Sequence, residues 1–256
     1  MCRFVAYIGE QKIFLRELLS QPINSLIQQS REARQGSTKV NADGFGLSWY
    51  DNDIRKMPGI YKSIQPAWND YNLLHLVGMI ASSCFMGHVR NATMGDVGNV
   101  NCHPFCHETY SYVHNGTIFG FNRLKRHLRK VLSDSSFDMI KGNTDSEHFF
   151  SLLLDNLPQG KGDIVVLDLY EAILNAMRRV KTLKESLGIS ERDELNVVFT
   201  DGQRLVATRY CSDPSEKQLS LYYSKRYNSD GKTKQSVIEY DGLKDHFENT
   251  DLITDS

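Results

Sequence analysis

The sequence predicts an α+β fold with mainly antiparallel sheets packed face to face and helices outside. Two observations carry this. Strand-like segments open and close the chain while helix-like segments gather between them, an order that does not alternate as a βαβ chain does. An Asp201-Gly202 pair between two apolar runs marks a tight hairpin turn, the connection antiparallel strands use.

The elements follow in order. Cys2 to Gly9 reads as a strand ended by glycine. Phe14 to Gln29 reads as a helix, apolar at Phe14, Leu18, Leu19, Leu26 and Ile27, with a kink or restart at Pro22. Gly44 to Tyr50, Phe85 to Arg90 and Thr109 to His114 are short runs rich in aromatic and β-branched residues, hence strands. Phe121 to Leu132 is a basic amphipathic helix. Thr144 to Leu157 is a second, opened by a capping box of Thr144 and Glu147. Asp163 to Leu187 is a long helix whose apolar stripe is Ile164, Leu167, Tyr170, Leu174, Met177, Val180 and Leu187. Leu195 to Thr200 and Arg204 to Tyr210 flank the hairpin turn, and Leu219 to Tyr223 and Ser236 to Tyr240 read as further strands. Residues 2–240 are expected to form one domain, and the acidic, polar stretch Asp241 to Ser256 a partly disordered tail.

With 256 residues, the chain is long enough for a substantial core. A net charge of −1 gives no electrostatic reason to expect nucleic acid or a membrane surface as partner. No basic stretch followed by an apolar run opens the chain, and the most apolar window, Leu73 to Phe85, is interrupted and too short to span a bilayer. Five cysteines, Cys2, Cys84, Cys102, Cys106 and Cys211, are an odd number, which reads as free thiols in a reducing cytoplasm.

The most informative residue is Cys2. A small residue after Met1 favours removal of the methionine, which would leave a thiol and an α-amine on one residue. An N-terminal amine acting as base for its own side chain is an established way to activate a nucleophile. Four polar segments accompany it: Gly87-His88-Val89-Arg90-Asn91-Ala92-Thr93, Asn101-Cys102-His103-Pro104-Phe105, Val113-His114-Asn115-Gly116-Thr117 and Asn143-Thr144-Asp145-Ser146-Glu147. Taken by itself, Asn115-Gly116 reads as a hairpin turn, Arg90 as half of a surface ion pair, and Asp145 as a carboxylate favoured at a helix start.

With Cys2, these segments resemble the class II glutamine amidotransferases, whose glutaminase domain begins at a catalytic cysteine. The resemblance runs from residue 2 to about residue 157 and is extended by the hairpin Asn196 to Tyr210. It implies the four-layer αββα sandwich of the N-terminal-nucleophile hydrolases. It also implies roles: Cys2 attacks a γ-glutamyl carbonyl, and Asn115 and Gly116 hold the oxyanion. Arg90 and Thr93 bind the substrate α-carboxylate, Asp145 the α-ammonium, and His103 positions neighbouring groups.

The family's synthases often carry tryptophan after the equivalent arginine, where this chain has Asn91, and no room for a synthase module remains after residue 157. The nearest resemblance is to single-domain γ-glutamyl hydrolases. Their opening Met-Cys-Arg and the Asp201-Gly202 to Ala207-Thr208-Arg209-Tyr210 hairpin are present, and their Ser-Glu-Pro run is not. The expected activity is release of glutamate from glutamine or a γ-glutamyl compound through a thioester, with no metal or organic cofactor. One alternative is a glutaminase subunit that delivers ammonia to a separate synthase partner, and a separate synthase or peptidase subunit is a possible partner of the chain. Others are a zinc-stabilised chain, suggested by Cys102, His103, Cys106 and His107, and a catalytically silent glutamine-binding module.

Overall fold

The computed structural model describes residues 2–33, 40–92, 95–160, 162–213, 215, 219–227 and 233–239, the stretches 225–227 and 233–239 by backbone alone. The tail 241–256 and Thr93 lie outside the described residues.

Ten strands form two antiparallel sheets. Sheet A has the order β3-β2-β4-β1-β10-β9, built from β1 (Arg3–Phe14), β2 (Phe45–Asp51), β3 (Arg55–Ser63), β4 (Ala81–Val89), β9 (Tyr222–Tyr227) and β10 (Thr233–Glu239). Sheet B has the order β5-β6-β7-β8, built from β5 (Phe105–His107), β6 (Tyr110–Ile118), β7 (Asp193–Thr200) and β8 (Leu205–Thr208). Helices α1 (Arg16–Leu19), α2 (Leu26–Arg31) and α3 (Tyr71–Met79) belong to the sheet A half of the chain. Helices α4 (Phe121–Lys130), α5 (Asp134–Asp138), α6 (Asp145–Asp155) and α7 (Val166–Ser186) lie between β6 and β7 in sequence.

Residue parity sets the layers, because alternate side chains of a strand point to opposite faces. On β1, Val5 and Tyr7 join a cluster with Leu18, Leu19, Leu26, Leu73 and Val77 of α1 to α3. Phe4 and Ala6 point the other way and meet Met86 of β4, Val113 of β6 and Val198 of β7. On β6 and β7, Tyr112, Ile118, Leu195, Val197 and Phe199 pack instead on α4, α6 and α7. The layers therefore run helix, sheet, sheet, helix, the αββα arrangement expected from the sequence.

Several boundaries differ from expectation. Strand β1 continues to Phe14 with a register break between Ile8 and Ile13, so the predicted Phe14 to Gln29 helix is two short helices, α1 and α2, on either side of Pro22. Strand β3 carries Pro58 and Gly59, which read as breakers. An edge strand tolerates proline, and the ring of Trp49 lies where a Cβ on Gly59 would be. The apolar window Leu73 to Phe85 splits into α3 and β4. The long helix α7 buries Leu169, Ala172, Ile173, Ala176 and Val180, whereas Leu167 and Tyr170 of the predicted stripe are exposed. Its small residues, Ala172 and Ala176, face the sheet and had not been counted as core. Near its end, Lys184 is buried and donates to Asp193 of β7 and to the Glu191 carbonyl.

Candidate active site

The candidate residues gather where the gap between the sheets meets the start of β1. Register brings Phe4 opposite His88 and Arg3 opposite Val89, so one further step sets Cys2 across from Arg90. Cys2 shares its parity with Phe4 and Ala6, and Arg90 with Met86 and His88, so both project into the gap. On β6, Asn115 shares the parity of Val113 and faces the same gap from sheet B.

The Cys2 sulfur is held by one neighbouring peptide segment. The Asn91 N–H donates to Sγ at 3.3 Å, and the thiol lies 3.3 Å from the Asn91 carbonyl oxygen. Burial pushes the thiol pKa up. The Asn91 N–H and the Arg90 guanidinium pull it down, and the Asp145 carboxylate adds to the upward push. Arg90 and Asp145 thus lie within electrostatic reach of the sulfur.

Arg90 is buried just past the end of β4, and its guanidinium donates to the carbonyls of Asp96 (3.0 Å) and Gly95 (3.3 Å). Asp43, in the turn before β2, accepts from the Ala92 N–H at 2.8 Å and clamps the segment after Arg90. Asn101 donates to the Asp96 carbonyl (2.9 Å) and to the Asn143 side-chain oxygen (3.0 Å), and it accepts from the Asn143 N–H. The loop that grips Arg90 is thereby tied to the start of α6, which carries Asp145. Asn101 and Asn143 stood inside two of the quoted segments, and their spacing along the chain gave no sign that they touch.

Asp145 is the first residue of α6, buried behind the N-cap Thr144. Its Oδ2 accepts from the Ile118 N–H at 2.8 Å and its Oδ1 from the Ser146 N–H at 2.9 Å. The Thr144 hydroxyl caps the Glu147 N–H as expected. The Glu147 carboxylate instead accepts from the Lys141 and Gly142 N–H groups, so the predicted capping box is half formed.

Asn115 and Gly116 lie inside β6, not in a turn. Asn115 is buried, and its Nδ2 has no hydrogen-bond partner. Gly116 pairs with Leu195, whose N–H is used by the Tyr210 carbonyl on the β8 side. Antiparallel alternation then makes this a non-hydrogen-bonded pair and turns the Gly116 N–H away from β7. Strand β5 covers β6 only from Tyr110 to Tyr112, so that N–H faces an edge without a strand, beside the Ile118 N–H taken by Asp145. Gly116 has φ +156°, and a Cβ there would lie 1.9 Å from the Glu194 carbonyl oxygen, so glycine is required.

His103 is buried beneath this surface and follows a close approach of its carbonyl to Gly46, where a Cβ would be 2.3 Å away. Its ring lies tilted by 34° against His88 with centroids 4.2 Å apart, meets Phe105 edge-on, and has no hydrogen-bond partner at either nitrogen. Burial holds it neutral, well below the usual histidine range, with His88 adding to the effect. His114 faces the helix layer, with Nδ1 at 2.9 Å from the Ser146 hydroxyl and Nε2 at 3.0 Å from the Glu194 carbonyl.

The two cysteines that suggested zinc go to separate partners, Cys102 to the Gly98 carbonyl and Cys106 to the Ser111 hydroxyl. Among the described residues, no three His, Cys, Asp or Glu side chains converge on a point that would hold a metal ion. None of the helices among them is long and apolar enough to cross a membrane.

The sequence profile of the glutamine amidotransferases class-II family matches residues 21–229. The chain belongs to the class-II glutamine amidotransferases. Among relatives of this amidotransferase, the probable glutamine amidotransferase DUG3 of Saccharomyces cerevisiae is 34% identical over 244 residues, covering 88% of this chain and 68% of the yeast protein. The γ-glutamyl-hercynylcysteine sulfoxide hydrolase of Mycobacterium tuberculosis is 29% identical over 119 residues, covering 46% of this chain and 50% of that protein. A glutamine aminotransferase class-II domain protein from Silicibacter pomeroyi superposes with a TM-score of 0.67 at 29% identity, covering 93% of this chain and 88% of that one.

Proposed function

We propose that this amidotransferase hydrolyses the γ-glutamyl amide of glutamine or of a γ-glutamyl compound through a thioester on Cys2. Once Met1 is removed, the Cys2 α-amine takes the thiol proton as sulfur attacks the γ-carbonyl. The tetrahedral oxyanion accepts from Asn115 Nδ2 and the Gly116 N–H. Collapse expels the amine, which takes the proton back. Water then attacks the thioester, and glutamate and the Cys2 thiol are released. Arg90 pairs with the substrate α-carboxylate, joined by the Thr93 hydroxyl, and Asp145 pairs with the α-ammonium. His103 keeps the floor of the site packed.

The observation that carries this reading is the buried, unpartnered Nδ2 of Asn115, on the face of the gap that Cys2 shares. A buried donor without an acceptor costs about 1–3 kcal/mol, and an oxyanion supplies the missing acceptor. The γ-glutamyl specificity is supported by the likeness to the mycobacterial γ-glutamyl-hercynylcysteine sulfoxide hydrolase.

The test is intact-mass measurement of the purified protein, then incubation with a glutamine-like diazo-ketone. Loss of Met1 and labelling of Cys2 alone are expected, with glutamate release abolished in Cys2→Ala. Labelling at Cys102, or full activity in protein that keeps Met1, overturns the mechanism.

A further inference from the structure

Helix α4 presents a strongly cationic surface that the candidate site does not use. Between Phe121 and Lys130 it carries Arg123, Lys125, Arg126, His127, Arg129 and Lys130 and no acidic residue. Its apolar edge, Phe121, Leu124 and Leu128, is buried in the core it shares with α6 and α7, which fixes the cationic edge outward. Arg123 is occupied by the Leu187 carbonyl and Glu191. Lys125, Arg126, Arg129 and Lys130, with Asn122 and Phe137 of α5, line an open cleft of about 460 Å³.

The cleft is partly preorganised. Arg129 donates from Nε to His148 Nε2 at 2.8 Å and lies 5.9 Å from the Phe137 ring centroid. His148 Nδ1 is 2.7 Å from the Thr144 carbonyl, so it carries the proton and leaves Nε2 as the acceptor. Lys125, Arg126 and Lys130 have neither a hydrogen bond nor an ion pair among the described residues. Burial draws the Lys125 pKa down, Arg129 one turn later adds to this, and the Glu147 carboxylate opposes it.

We propose that this cleft is a docking site for a carboxylate-rich segment of a partner polypeptide. Lys125, Arg126, Arg129 and Lys130 form two i,i+4 pairs along about 8 Å of helix axis. Such a row matches carboxylates repeated along a chain, whereas one small anion would engage a single pair. The cleft is open, so it suits a segment laid across it, and half-exposed Phe137 gives that segment an apolar contact. Its place on the outer helix layer, away from the gap that holds Cys2, makes the proposal independent of the catalytic reading.

The experiment is fluorescence anisotropy of a labelled peptide of alternating glutamate and alanine, titrated with the full chain. Saturable binding is expected, weakening about tenfold or more between low and physiological salt. The K125E/R126E variant should lose binding by at least about tenfold with an unchanged circular dichroism spectrum, as expected for desolvated charge pairs. The R55E/K56E variant on β3 makes the same charge change on the other sheet and should bind normally. Absence of binding, or equal loss in both variants, overturns the proposal. Tighter binding of duplex DNA than of the peptide would make the cleft a nucleic-acid surface and overturn it as well.

Discussion

Acid should destabilise this protein through its buried histidines, and His88 sets the magnitude. Its side chain is fully buried between the sheets, in ring contact with His103. Burial, reinforced by Arg90 and opposed by the His114 backbone, holds its pKa at about 3 against an ordinary value of 6.5. Between those values the unfolded chain binds the proton and the folded chain does not. The stabilisation is therefore complete above the unfolded value and is lost as pH falls. Taking the pH from about 7 to about 5 removes about 2 kcal/mol through His88 alone. His148, held at about 4 mainly by burial, and His103 add losses of the same sign. Against a typical total of about 5–15 kcal/mol, this is a large fraction. Urea midpoints followed by tryptophan fluorescence across this range measure it. His88→Gln cannot titrate. It should start less stable, having lost the ring contact, yet its decline over the same range should be shallower by about 2 kcal/mol. Parallel curves for the two proteins would refute the reasoning.

Other expectations concern single side chains. Asn115→Ala should lower kcat by about 10²–10³ with little change in KM, since its donor meets only the oxyanion; steady-state kinetics on glutamine checks this. Arg90→Lys should raise KM by one order of magnitude or more, because a point charge replaces a fork that also holds Gly95 and Asp96, and the KM against kcat split separates this from loss of catalysis. Lys184→Ala leaves Asp193 charged and buried without its partner and should cost about 3–5 kcal/mol in urea denaturation.

The legible part of the fold was what local pattern encodes. The hairpin at Asp201-Gly202, helices α4 and α6 and the N-cap Thr144 follow from turn chemistry, amphipathic spacing and a hydroxyl before a helix. Strand β3 was not legible, because Pro58 and Gly59 break a strand in general and are tolerated here only at a sheet edge with Trp49 across the glycine. Of the α7 stripe, Val180 is buried and Ile164, Met177 and Leu187 pack on the core, while Leu167 and Tyr170 are exposed and Ala172 and Ala176 are buried, because alanine is a weak apolar signal.

The sequence by itself determined which chemistry the chain carries: a cysteine at position 2, Arg90, an Asn115-Gly116 pair and Asp145, in a family order. Only the tertiary structure decided that Cys2 and Asn115, far apart in sequence, face one gap from opposite sheets. It also decided that the Gly116 N–H is turned toward an edge that β5 does not reach. The physical reason is that face and edge are properties of strand register. Register is fixed by cross-strand pairing and by the packing of two sheets, and neither is written in the neighbourhood of any one residue.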